Sequence, residues 1–244
     1  MGSCCVFLSS NVDTVNIDHH VDNVNIVCET FFMSSQQPGP GEHAYHHGDL
    51  RRSLIDAAMA LVREEQDWTF SLREVARRAG VSHNAPYNHF RDKRDLLAAV
   101  AVAGFAALRD RMAAAVEGIE GAEAALVKSA SVYVKFGVEN PAHYRLMFSS
   151  ALATPAEGRP EPVADAGAET KALLEQILRR GARAGVFTAS LNRREELQVA
   201  VLSAWSAVHG LTMLAIDGLT GAPGLPVERI AEKLARTFCG GLRR

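Results

Sequence analysis

A chain of 244 residues has room for one large or two small domains with an ample core. Its net charge of −2 sets 26 Lys and Arg against 28 Asp and Glu, so bulk charge carries no sign of a nucleic-acid partner and any such case must rest on local pattern. The four cysteines show no metal or disulfide spacing, which fits a reducing cytoplasm, and no apolar run reads as long enough to cross a bilayer.

The leader differs from the rest. Residues 1–44 contain five acids and no Lys or Arg, and no Ala occurs before Ala44. A segment without basic residues does not read as a secretory or transit signal. Two stretches share one wording: Asn11-Val12-Asp13-Thr14-Val15-Asn16-Ile17 and His20-Val21-Asp22-Asn23-Val24-Asn25-Ile26. If Asn-Val-Asp is written AATGTTGAC and Val-Asn-Ile GTCAACATT, the two are reverse complements. The first stretch can then be a perfect inverted repeat about the Thr14 codon, and the second one about Asn23 except at its outer codons. Two-fold symmetric DNA-binding dimers read inverted repeats. Residues 1–32 are therefore expected to be operator DNA read as protein, with the natural start at Met33. A β-hairpin of alternating Val, Asn and Ile, or a disordered extension with an accidental repeat, stays open beside that reading. Ser34 to Gly41 reads as a flexible linker. His43, His46 and His47 have no thiolate nearby and read as a polar approach to the first helix, so neither metal nor cofactor is expected.

Beyond the leader (1–45) the pattern is helical throughout. Leu50, Leu54, Ala57, Ala58, Leu61 and Val62 form an apolar stripe on a helix from about Asp49 to Glu65. Ser71-Leu72-Arg73-Glu74 has the spacing of a capping box and starts a short helix to Ala79, which Gly80 ends. Ser82 is expected to cap a further helix closing at Phe90, with Pro86 early enough to be tolerated. Asp92-Lys93-Arg94-Asp95 opens a long helix to about Val116.

Two short helices joined by a tight Gly-Val-Ser turn make a helix-turn-helix, whose second helix enters the major groove. Between Arg73 and Arg94 six bases face only Glu74 and Asp92, the local charge that phosphate binding needs. Tyr45-His46-His47-Gly48-Asp49-Leu50-Arg51, Phe70 through Ser82, and Ala85-Pro86-Tyr87-Asn88-His89-Phe90-Arg91-Asp92-Lys93 resemble the N-terminal domain of the tetracycline-repressor (TetR) family of bacterial transcription regulators. The resemblance implies a DNA-binding domain over residues 46–94. Tyr87, His89 and Lys93 would contact phosphates, and Ser71 and Ser82 would present helix N-termini to the backbone. His83, Asn84, Ala85 and Asn88 occupy the start and face of the recognition helix, where Asn can pair with adenine and Ala can touch a thymine methyl. For Arg73, Arg77 and Arg78 the alternative is a solvated helix face.

Residues 95–244 are expected to form a helical ligand-binding and dimerisation domain. Helices are read over Ala122–Val138, Pro141–Phe148, Val163–Ala184, Arg193–Ile216 and Val227–Leu242, with loops at 154–161 and 218–226. Tyr133-Val134-Lys135-Phe136, Glu139 through Phe148, and Trp205-Ser206-Ala207-Val208-His209-Gly210 resemble the Trp-His-Gly (WHG) type of TetR C-terminal domain. That resemblance implies a homodimer through the last two helices, where Ala204 and Gly210 would permit close approach. It also implies an apolar effector pocket, with Tyr133, Phe136, Met147, Phe148, Trp205, His209 and Met213 as candidate linings. The bland alternative for each aromatic or Met is core, and for His209 a satisfied structural histidine.

The expected function is a homodimeric, cytoplasmic, nucleoid-associated regulator. It would bind double-stranded DNA at an inverted repeat with core GTTGAC-NNN-GTCAAC and release it when a small apolar effector binds. The alternatives are a ligand-independent activator or architectural DNA-binding protein, or an enzyme or ligand carrier in the C-terminal helices. Against an enzyme, the sequence has no Gly-x-Ser-x-Gly, phosphate loop, His-Glu-x-x-His or dinucleotide fingerprint.

Overall fold

The computed structural model describes residues 47–154, 158–221 and 224–243, with side chains from Leu50 onward. The leader repeat, Cys4, Cys5, Cys28, the 34–41 linker, His43, His46 and the His47 side chain lie outside the described residues. Among those described there are eight α-helices and no β-strand, so the fold is all-α. They are α1 His47–Glu65, α2 Leu72–Arg78, α3 Lys93–Val116, α4 Ala122–Glu139, α5 Pro141–Phe148, α6 Glu161–Arg183, α7 Arg194–Ile216 and α8 Val227–Leu242.

Local chemistry accounts for the boundaries. At α2 the Ser71 hydroxyl accepts from the Glu74 amide at 3.3 Å, and the Ser71 amide donates back to the Glu74 carboxylate at 2.6 Å. At its other end Gly80 has φ +68°; the Val81 amide donates to the Ala76 carbonyl and the Gly80 amide to that of Arg77. This doubly bonded left-handed stop satisfies two carbonyls the helix would otherwise leave open. Asp92 caps α3 by accepting from the Asp95 amide at 2.8 Å.

The helix expected after Ser82 is shorter than its sequence suggests. Only a 3-10 turn forms, Ala85–Asn88. Ser82 does not cap it; its carbonyl accepts from the Ala85 amide, while Asn84 stands at the cap position without a side-chain hydrogen bond. Pro86 withholds an amide, and an uncapped segment of this length does not sustain α-geometry.

The core is continuous. Leu54 and Val62 of α1, Val75 of α2 and Phe90 of the connection to α3 join Leu96, Phe105, Tyr144 and Leu211 in one buried cluster. Full burial of such side chains contributes about 1.5–3 kcal/mol each. α4 is the central helix, touching α3, α5, α6, α7 and α8. A second cluster, including Leu126, Leu178, Phe187, Leu197 and Cys239, closes the other end of α4.

Gly104 sets the approach of α3 to α5. A Cβ there would lie 2.7 Å from His143 Nε2 and 2.8 Å from Met147 Sδ. α7 corrects the expectation about bilayer-spanning segments: its 23 residues are long and apolar enough by length and composition to cross a membrane. In this fold α7 packs against α4, α6 and α8. Its apolar character reflects two faces, one packed inside and one carrying the exposed Val199, Leu202 and Leu214.

Candidate functional site

The connection between α2 and α3 faces solvent. Ser82, His83, Asn84, Tyr87 and Asn88 are exposed, and Ala85 and His89 are half-buried. Tyr87 is 54% exposed, although a tyrosine ring is large enough to anchor a core. Pro86 and Phe90 are buried and hold the turn down. Ser71 is engaged by the Glu74 capping box, which leaves its neighbouring helix start exposed. Arg78 pairs with Glu64 of α1, which favours a structural role for it, while Arg73 and Arg77 face solvent.

Lys93 has structural contacts of its own. Its ammonium lies 5.3 Å from the Phe70 ring centroid, a cation–π arrangement that ties α3 to the segment before α2. Partial burial lowers its pKa, opposed by the charges of Asp67, Glu74 and Glu65.

A cavity of about 310 Å³ lies between α3, α4, α6, α7 and α8. Tyr133, Phe148 and Trp205 line it as expected. Phe136, Met147, His209 and Met213 are not among its lining residues. Phe136 is buried with the Arg111 guanidinium 5.3 Å from its ring centroid. Met147 is fully buried against Gly104, and Met213 packs on the main core. All four have the helical spacing of lining residues but stand one layer behind the wall.

His209 belongs to a hydrogen-bonded network. Its Nδ1 donates to the Tyr144 hydroxyl at 2.7 Å, Tyr144 donates to Tyr133 at 2.9 Å, and the Trp205 indole N–H donates to Tyr133 at 3.1 Å. Burial pushes the Tyr133 phenol up to about 12, raises that of Tyr144, and lowers the pKa of His209. All three are therefore neutral at pH 7, and Tyr133 carries the network to the cavity surface.

Two cations at the cavity were not anticipated. Lys171 of α6 holds its ammonium 5.2 Å from the Trp205 ring centroid. Arg159, just before α6, donates to the Met147 carbonyl. The available signal for Lys171 was the α6 stripe Val163, Gly167, Thr170, Leu174, whose helical spacing includes a lysine. Arg159 had none, because a loop arginine has no periodicity.

Two family models match the chain. The model described as bacterial regulatory proteins, tetR family, covers residues 54–100, and the one described as tetracyclin repressor-like, C-terminal domain, covers residues 126–238. The chain belongs to the TetR family. A TetR-family protein is a DNA-binding transcription regulator and not an enzyme. Among solved structures it is similar to a protein of unknown function from Rhodococcus sp. RHA1, with 33% identity and a TM-score of 0.69 over 83% of this chain and all of that one. A bacterial regulatory protein in the tetR family from Rhodococcus RHA1 shares the fold at 20% identity and TM-score 0.58, over 79% of this chain and 96% of that one. So does the transcriptional regulator FadR from Bacillus subtilis in complex with stearoyl-CoA, at 14% identity and TM-score 0.62, over 78% and 98%.

Proposed function

We propose that this TetR-family regulator is a homodimeric repressor of the cytoplasmic nucleoid, released from an inverted-repeat operator when a small apolar effector enters the cavity. The observation that carries the reading is α3. One unbroken helix has Lys93 at its start, beside the DNA-facing turn, and Phe105, Leu108 and Met112 in the cavity wall. From Lys93 to Met112 is roughly 28 Å at 1.5 Å per residue. An effector that shifts the wall shifts the helix, and with it the spacing of two recognition turns in a dimer. Its effect is limited to its preference for the released conformer over the bound one.

In this reading Tyr87, His89 and Lys93 hold phosphates, and His83, Asn84, Ala85 and Asn88 face the bases. The dimer forms through α7 and α8. The exposed Val199, Leu202 and Leu214 support that interface, because an uncovered apolar stripe on a helix is an association surface. Ala204 and Leu234 line the cavity. The operator core is GTTGAC-NNN-GTCAAC, carried by the DNA that encodes residues 11–26. Thr14 and Asn23 are nine codons apart, which is 27 base pairs or roughly two and a half turns, so two dimers would sit on nearly opposite faces.

The test is a gel-shift titration with a duplex bearing that core, with and without apolar extracts. Specific binding that weakens steeply with salt and is relieved by an apolar fraction supports the reading. Binding indifferent to every fraction favours a ligand-independent regulator.

A further inference from the structure

The cavity is not uniformly apolar: Arg159 and Lys171 line it among mostly apolar side chains. Along α4 it runs from Leu126 to Tyr133, roughly 10 Å at the helical rise. At the Leu126 end the wall is Leu174 and Phe238. At the Tyr133 end stand Phe105, Phe148 and Trp205. Phe148 is 5.2 Å from Phe105 and 6.1 Å from Trp205 between ring centroids, so the three form one aromatic wall. Lys171 lies over Trp205, and Arg159 bonds the carbonyl of Met147, the residue next to Phe148. Both cations thus flank the same wall.

These cations lack countercharges. Among the described residues no Asp or Glu lines the cavity, and none forms an ion pair with Arg159 or Lys171. Burial lowers the pKa of Arg159, the mark of a cation losing water without a carboxylate to replace it. Its guanidinium has five donors and spends one on Met147. The other lining hydroxyls are engaged internally: Ser129 with the Leu126 carbonyl, and Thr170 with that of Ala166. Tyr133 accepts from Tyr144 and Trp205, and its hydroxyl also lies 3.5 Å from His209 Nδ1. Size narrows the ligand further. A volume of about 310 Å³ lies at the lower end of small-molecule pockets, which run from roughly 300 to 1,000 Å³.

We infer that the effector is a small monocarboxylate amphiphile, its carboxylate held by Arg159 and Lys171 and its tail lying toward Leu126 and Phe238. The inference rests on the effector-cavity reading above and adds the charge and size of the ligand to it. A guanidinium fork suits a carboxylate, and charge-assisted hydrogen bonds are stronger than neutral ones; Arg159 is half-buried and Lys171 exposed.

The test is calorimetric titration of the full-length protein with octanoate and with 1-octanol, each also titrated in the presence of the other. The wild type should bind both at one shared site, with octanoate at least about tenfold tighter. In the double variant Arg159→Gln, Lys171→Gln the preference should vanish while octanol binding stays within about twofold, since neither change alters the apolar wall. Each single variant should lose part of the preference, which covers the case of a poorly folded double variant. Octanoate binding no tighter than octanol, or a preference that survives in the variants, overturns the carboxylate site while the apolar effector cavity stands. If octanol also fails to bind, the effector-cavity reading falls and this inference with it.

Discussion

His143 on α5 donates through Nε2 to the Val100 carbonyl of α3 at 2.9 Å. The carbonyl can only accept, so the imidazole carries its proton on Nε2. This bond ties α5, whose Phe148 lines the cavity, to the helix that begins beside the exposed turn at Ser82–His89. It lies next to Gly104, where α3 and α5 come closest. Burial lowers the pKa of His143, and the charge of Arg63 adds to that, against the opposing effect of the Val100 bond.

A pH dependence of stability follows. The unfolded chain takes up a proton near pH 6.5, whereas folded His143 and His209 resist it to lower pH. The unfolded state thus binds more protons as pH falls below about 6.5, so stability is intact above that value and declines below it. Denaturant melts at pH 7.5 and 5.5 should show a lower midpoint at 5.5. His143→Gln, which can still donate to Val100, should reduce the difference.

Gly104→Val tests the α3–α5 contact. The new side chain meets His143 and Met147, and overpacking of this kind costs about 1–3 kcal/mol. An unfolding midpoint equal to wild type would mean that α5 can retreat freely.

The DNA-facing residues separate by role. Lys93→Ala should weaken operator binding for all sequences alike and lower the salt slope by about one, and Tyr87→Phe should weaken it with the fold unchanged. Lys93 also packs over Phe70, so its variant is expected to lose some thermal stability, whereas the exposed Tyr87 is not. Asn88→Ala should relax base preference by roughly 1–3 kcal/mol per lost bidentate contact. The check is anisotropy against a panel of mutant duplexes.

Leu202→Arg should abolish the dimer. Leu202 is 56% exposed on α7, so the monomer tolerates the charge, but a two-fold interface would bury it without a partner. Sedimentation should give a folded monomer, and an unchanged dimer would move the interface elsewhere.

What the sequence made legible was what neighbours in the chain decide. The Ser71–Glu74 box, the Gly80 stop and the Asp92 cap are local, and their spacing alone identified them. Helical stripes were equally clear, but a stripe does not say which of two apolar faces is covered. Ala204, spaced for close helix approach, lies on the cavity, while Met147 and His209, spaced as lining, sit behind it. The turn after Ser82 was overextended because a missing cap leaves no mark in the sequence. Arg159 and Lys171 line one cavity whose aromatic wall three separate helices assemble.

Sequence-specific DNA binding is the central claim, and selection of duplexes from a random library by the purified full-length protein tests it most directly. After several rounds the account predicts enrichment of an inverted repeat with two half-sites about one helical turn apart, matching GTTGAC-NNN-GTCAAC. Enrichment of a different inverted repeat would refute the operator assigned to the leader codons while keeping the regulator. A pool with no enriched motif, bound no better than random duplex at physiological salt, would contradict the account.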